Sequence, residues 1–186
     1  MRFLHEQLQD VLKQITIMGS LTESMIGLAM RVLVERDASL TDEVMRKEDE
    51  VNALQVSIDE ASINLIATQQ PVGKDVRLLF MASKIVTDLE RVADQAKNIC
   101  QNARFVLAQP PLKPMVDLPI MAEIAQKMVR DALTAVIERD VALAERVMHE
   151  ESKVDAFRPG LPHAADLHDG RPGHDPACAV IDSDLS

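Results

Sequence analysis

From Phe3 to about Val34 the apolar residues Leu8, Val11, Ile15, Met18, Met25, Ala29 and Leu33 recur at steps of three and four, or of seven, which marks one face of a long helix. "ERDASL" interrupts the pattern, and Asp37 or Ser39 can cap a second helix. In that second segment Val51, Leu54, Ile58, Ala61 and Leu65 alternate by three and four, in the manner of a coiled-coil seam. Pro71 and Gly73 in "QQPVGKD" mark a turn. Beyond it Leu78, Ala82, Ile85, Leu89, Val92, Ala96, Ile99 and Ala103 outline a third helix of about nine turns. Three long amphipathic helices with short joints predict an antiparallel bundle.

"AQPPLKPMVDLP" carries four prolines and cannot continue that helix, so it reads as a linker. The chain then repeats itself. "ERDASLTDEVMRKEDEVNAL" (35–54) aligns without gaps with "ERDVALAERVMHEESKVDAF" (138–157), at an offset of 103 and with nine of twenty positions identical. Upstream, Met25 and Met128, and Ala29 and Ala132, keep the same register. The pattern predicts an all-α chain of tandem antiparallel three-helix bundles. Its parts are a first unit over 1–108, a linker over 109–119, two helices of a second unit over 120–157, and a tail over 158–186. The tail has four Pro, three Gly and three His with no helical period, which predicts disorder. Because the repeat agrees up to Phe157 and composition changes abruptly after it, we expect a shift of reading frame near codon 158. The second unit is then expected to lack its third helix, leaving Val129, Leu133, Val136, Leu143 and Val147 uncovered. Each such side chain left in water costs about 1.5–3 kcal/mol, which predicts a C-terminal half that folds poorly or self-associates.

Composition narrows the function. In 186 residues there are only four Phe and neither Tyr nor Trp, so the core must be aliphatic and methionine-rich. Met25, Met30, Met45, Met81, Met128 and Met148 are expected to pack in it. A net charge of −10 with scattered basic residues argues against nucleic-acid binding and against resting on anionic lipid. Cys100 and Cys178 make neither a disulfide framework nor a CxxC site, which suits a reduced cytoplasm. Arg31 and other polar residues break the apolar runs, and "MRFLHEQLQD" lacks a signal-like apolar region, so no membrane insertion is expected. No Gly-rich phosphate loop is present, and His5 and His149 have no partnered Ser or Cys nearby, so an enzyme is not expected. The Glu-x-x-His pairs of ferritin-like di-iron proteins are missing from the helical part. His163, His168 and His174 fall in the tail, where no fixed geometry holds them.

The candidate chemistry lies in "DLERVADQAKNI". There Ser83, Thr87, Glu90, Asp94 and Asn98 line one stripe, while Asp88, Arg91 and Gln95 point to solvent. Glu90 and Asp94 lie one turn apart and can share a divalent or iron-type cation through their oxygens. Glu48 with Asn52 repeats the spacing on the second helix, and Glu151 with Asp155 repeats it in the second copy. Acidic pairs at this spacing most often describe solvated helix faces. A metal-handling bundle, with Glu48, Glu90 and Asp94 doing the main work, and a plain oligomerisation scaffold are the alternative readings.

"QQPVGKDVRLLFMASKIVTDLERVADQAKNI", with its Q-P-x-x-x-D-x-R-L and L-E-R-x-x-D-x-A-x-N-I patterns, and the repeated E-x-x-V-N/D-A-L/F segment resemble the PhoU family of phosphate-transport regulators. The resemblance runs from about Phe3 to Phe157. It implies a cytoplasmic, homodimeric helical protein that is not an enzyme. Such a protein restrains phosphate uptake and starvation signalling by contacting the transporter's ATPase subunit and a sensor histidine kinase. It also implies metal at carboxylate pairs, here Glu90 with Asp94 and, less closely, Glu48 with Asn52, where the amide replaces an acidic ligand. Glu151 and Asp155 keep both acids but lack a third-helix partner within the sequence.

Overall fold

The computed structural model describes residues 2–108, 117–155 and 157. Five α-helices succeed one another: α1 (Arg2–Val34), α2 (Thr41–Gln69), α3 (Lys74–Leu107), α4 (Asp117–Glu138) and α5 (Val141–Asp155), with a short 3-10 turn at Ala38–Leu40 before α2. No strand occurs among the described residues, in keeping with the all-α expectation. The breaks fall where the sequence supplies a reason. Asp37 Oδ1 accepts the Ser39 N–H at 3.0 Å and caps the 3-10 turn. Gln70 closes α2 in the left-handed region at φ 46, and Gly73 at φ 61 turns the chain into α3.

α1, α2 and α3 pack on one another around a single aliphatic core. All seven residues picked for the inner face of α1 are buried. On α3, however, the buried set is Leu79, Ala82, Val86, Leu89, Ala93, Ala96, Cys100 and Ala103. Half of the expected set is therefore off by one: Leu78, Ile85 and Ile99 are partly buried flankers, and Val92 sits only part-way in. The true seam is a strict three-four alternation whose members are often small, because α3 is wedged between α1 and α2 and only short side chains fit at closest approach. α2 shows the same shift. Its buried line is Val44, Val51, Ile58 and Leu65, accompanied by Thr41, Glu48 and Ser62, while Leu54 and Ala61 flank it. One seam of α2 is thus largely polar, and Glu48 stands in it instead of beside it.

Of the six methionines expected to pack, Met25 is buried, Met30, Met45 and Met128 are half-buried, and Met81 and Met148 are exposed, at 50% and 74%. Phe3, Phe80 and Phe105 are exposed as well, so the core is aliphatic. α1 as a whole is long and apolar enough to cross a membrane by length and composition, which its broken apolar runs concealed. Here one face of it, from Leu8 to Leu33, lines the core of the bundle, while Phe3, Ile17 and Val34 are exposed.

The internal repeat is visible in the backbone. Arg36 and Arg139, equivalent under the offset, both adopt left-handed φ, 56° and 58°. The next residue caps in each case, Asp37 on Ser39 and Asp140 Oδ1 on the Leu143 N–H at 2.9 Å. α4 begins at Asp117, inside the stretch expected as linker, because Pro119 falls in its first turn, where a missing N–H costs nothing. It then docks antiparallel on α1. Gln126 Nε2 donates to the Glu23 carbonyl at 2.9 Å, and these two residues are themselves repeat equivalents. Arg130 pairs with Glu23, its Nε 3.2 Å from Oε2, and Gly27 closely approaches Gln126; the repeat exchanges one contact for the other. α1 and α4 therefore cross about a pseudo-two-fold axis at Glu23 and Gln126. Gly19 and Gly27 make room, since a Cβ at Gly19 would collide with Leu133 and one at Gly27 would lie 2.7 Å from Gln126 Nε2.

This docking corrects the expectation that the second unit's apolar face stands uncovered: Val129 and Leu133 pack against the first unit's core. Val136, Leu143 and Val147 are half-buried. The expectations on 158–186, including His163, His168, His174, Cys178 and the shifted frame, lie outside the described residues.

Candidate functional site

Glu48 on α2 meets Lys97 on α3. Standing on the polar seam of α2, Glu48 is 7% exposed, and Lys97 comes directly after the core residue Ala96, so its ammonium reaches across. Lys97 Nζ lies 2.8 Å from Glu48 Oε1 and 3.7 Å from Asp94 Oδ1. Asn52 Nδ2 donates to the same Glu48 oxygen at 2.7 Å. Glu90, half-buried one turn before Asp94, completes the patch. The structure therefore brings together three of the five expected ligands, Glu48, Glu90 and Asp94, around an ammonium group.

Burial alone would push Glu48 up, but the hydrogen bonds from Lys97 and Asn52, with the lysine's charge, hold its carboxyl below the usual range. Glu90 moves the other way: burial raises it, and the charges of Asp94 and Glu48 add to the effect. Lys97 is raised, chiefly by its hydrogen bond to Glu48 and then by the two carboxylate charges, with burial opposing.

The remaining expected residues are not gathered here. Glu151 is exposed on α5, and the side chain of Asp155 lies outside what the structure describes. The stripe Ser83–Asn98 divides: Ser83 Oγ donates to Asp59 Oδ1 at 2.7 Å and ties α3 to α2, while Thr87 donates to the Ser83 carbonyl of its own helix. Asp88, Arg91 and Gln95 are exposed, as expected. Lys97 does not stand out in the sequence. The available signal is its position next to the buried seam, three residues after Asp94, but that signal depends on having the seam in the right register.

The donor set is a poor fit for a resident metal. Among the described residues no group of three or more His, Cys, Asp or Glu is disposed to hold an ion. The side chain nearest the carboxylates carries a positive charge of its own. Nor is a nucleophile in evidence at Cys100, which is fully buried, with its thiol pushed up to about 11 by burial. Towards the N-terminal end of α3, Val76, Arg77, Phe80, Met81 and Lys84 line a shallow apolar cleft edged by two cations.

Comparison with known proteins agrees with this architecture. The family model described as the PhoU domain matches residues 15–103 and 118–158. The phosphate-specific transport system accessory protein PhoU homolog of Aquifex aeolicus is 35% identical over 152 residues, 82% of this chain and 69% of the relative. The accessory protein PhoU of Escherichia coli is 31% identical over 155 residues, 83% of this chain and 64% of the relative. The chain thus spans about two thirds of the length of these curated relatives. The crystal structure of PhoU from Pseudomonas aeruginosa superposes with a TM-score of 0.86 at 27% identity, covering 97% of this chain and 89% of that one. The phosphate transport system regulatory protein PhoU from Streptococcus pneumoniae, at 18% identity and a TM-score of 0.81, shares the fold. With the duplicated cap, the paired first helices and a domain match over both units, the chain belongs to the PhoU family.

Proposed function

We propose that this chain is an accessory regulator of phosphate transport that restrains uptake and starvation signalling when phosphate is plentiful. It acts in the cytoplasm as an adaptor between the ATPase subunit of a phosphate transporter and a sensor histidine kinase. The observation that carries the reading is the domain match over both units, together with curated relatives named for the phosphate-specific transport system. The geometry suits an adaptor better than a catalyst. The buried thiol is pushed up by burial, Glu48 and Asp94 are engaged by Lys97, and two exposed apolar residues of α3, Phe80 and Met81, line a cleft beside Arg77 and Lys84. A homodimer is part of the proposal. The acidic surface leaves recruitment to the membrane to protein partners rather than to anionic lipid.

The test is complementation. The 186-residue chain is expressed in cells lacking their own copy, with ample phosphate, and alkaline phosphatase is assayed as the starvation reporter. Silencing of the reporter is the expected result. A reporter that stays fully on, with the chain folded and abundant, would overturn the proposal for this chain.

A further inference from the structure

We propose that Lys97 is a built-in counter-cation, occupying the position a divalent ion would take between α2 and α3, so that the first unit folds without metal and refuses one. Three observations converge on this. Glu48 lies on the buried polar seam of α2, where an isolated carboxylate would be costly to hold charged. The Lys97 ammonium bridges Glu48 at 2.8 Å and Asp94 at 3.7 Å, joining carboxylates of two helices as a shared cation would. Asn52 reinforces the arrangement: its amide donates to Glu48 at 2.7 Å, and the second copy has Asp155 at the equivalent position. An amide there supplies a hydrogen where a metal site would need another anionic oxygen. The first unit has thus exchanged one carboxylate for a donor and filled the remaining gap with an ammonium. The exchange is self-consistent, since the ammonium has donors only: one serves Glu48, and its charge lies within ion-pair reach of Asp94.

The inference also predicts a latent site. Removing the ammonium while keeping an aliphatic stem exposes Glu48, Glu90 and Asp94 to one another, and a hard divalent cation becomes the natural way to relieve their repulsion. Isothermal titration with Mn²⁺ on the full chain near neutral pH, alongside thermal melts with Mn²⁺ or chelator, makes the test. The wild type and Lys97→Arg should show no saturable uptake and an unchanged melting temperature. Lys97→Met should take up one Mn²⁺ at least about tenfold more tightly than the wild type, and Glu48→Gln on that background should abolish the uptake. If Lys97→Met folds poorly, the melts still decide, because Mn²⁺ must raise its melting temperature and leave the wild type's where it was. Wild-type uptake as tight as that of Lys97→Met and lost with Glu48→Gln would overturn the proposal. So would a Lys97→Met chain indifferent to Mn²⁺. Neither result depends on the transporter or the kinase, so this inference can fail while the regulatory reading stands.

Discussion

The two copies of the repeat share nine of twenty residues around the same turn, yet they reach different depths of burial. In α1–α3, residues such as Ile15, Met18, Val51, Ile58 and Val86 are 1% exposed or less. In α4 only Leu118, Ala122 and Ala135 are buried, and α5 has no buried residue among those described. The local structure is nevertheless the same in both: a left-handed Arg, then an Asp cap, then a helix. Local sequence therefore sets the turn and the helix, whereas depth of core is set by how many helices close around it. Three helices that each touch the other two exclude water from a shared axis, whereas a pair leaves each helix an open side, and α4 closes part of its own against α1.

The sharpest way to break this comparison is to truncate one residue in each region. Ile58→Ala removes a fully buried side chain from the closed unit and should cost about 2–5 kcal/mol in chemical denaturation. Leu143→Ala, half-buried on α5, should cost less than about 1 kcal/mol. Equal losses would show that the two regions share one depth of packing after all.

A smaller effect sharpens the link between the copies. Gly19 lies where α1 and α4 approach most closely, against Leu133. Gly19→Ile should push α4 away and cost about 1–3 kcal/mol, partly offset by the better helix propensity of the new residue. Hydrogen exchange should locate that cost in α4 and α5, with protection of the inner amides of α2 and α3 retained. Loss of protection throughout would mean that the closed unit needs α4 to fold.

Much of this was legible in the sequence: the three long helices, the inner face of α1, the duplicated cap and the family resemblance all stem from period and breakers. The errors on α2 and α3 share one physical origin. Reading large side chains as the core marker selects Ile85 and Val92, but where a helix is wedged between two others the centre of the seam belongs to short residues such as Ala93 and Cys100. That slip moved Glu48 out of the seam and hid Lys97, because a lysine adjoining a seam that has been misplaced reads as one more solvated charge. The pairing of α4 with α1 was illegible for a different reason: the pseudo-two-fold contact depends on Gly19 and Gly27, whose absent side chains leave no mark in a hydrophobic pattern.

The mildest prediction sets two carboxylates of one patch against each other. Glu48 is held below its ordinary value in the folded chain, so its contribution to stability is present above the unfolded pKa and fades as pH falls through the folded one. Glu90 is raised, by burial and by its acidic neighbours, so the folded state binds its proton more tightly than the unfolded state does. Its ionised form therefore subtracts stability above the folded pKa, and the subtraction vanishes as pH falls through that value and below the unfolded one. Glu90→Gln should accordingly raise the melting temperature at pH 7, by less than about 1 kcal/mol in free energy, and have no such effect near pH 4. Glu48→Gln should lower stability at pH 7, with a penalty that shrinks on acidification. Melting curves of both variants across that range would show opposite signs at neutral pH converging in acid. If Glu90→Gln destabilises at pH 7 instead, its carboxylate is a net favourable partner of Lys97, and the ammonium balances three acids rather than two.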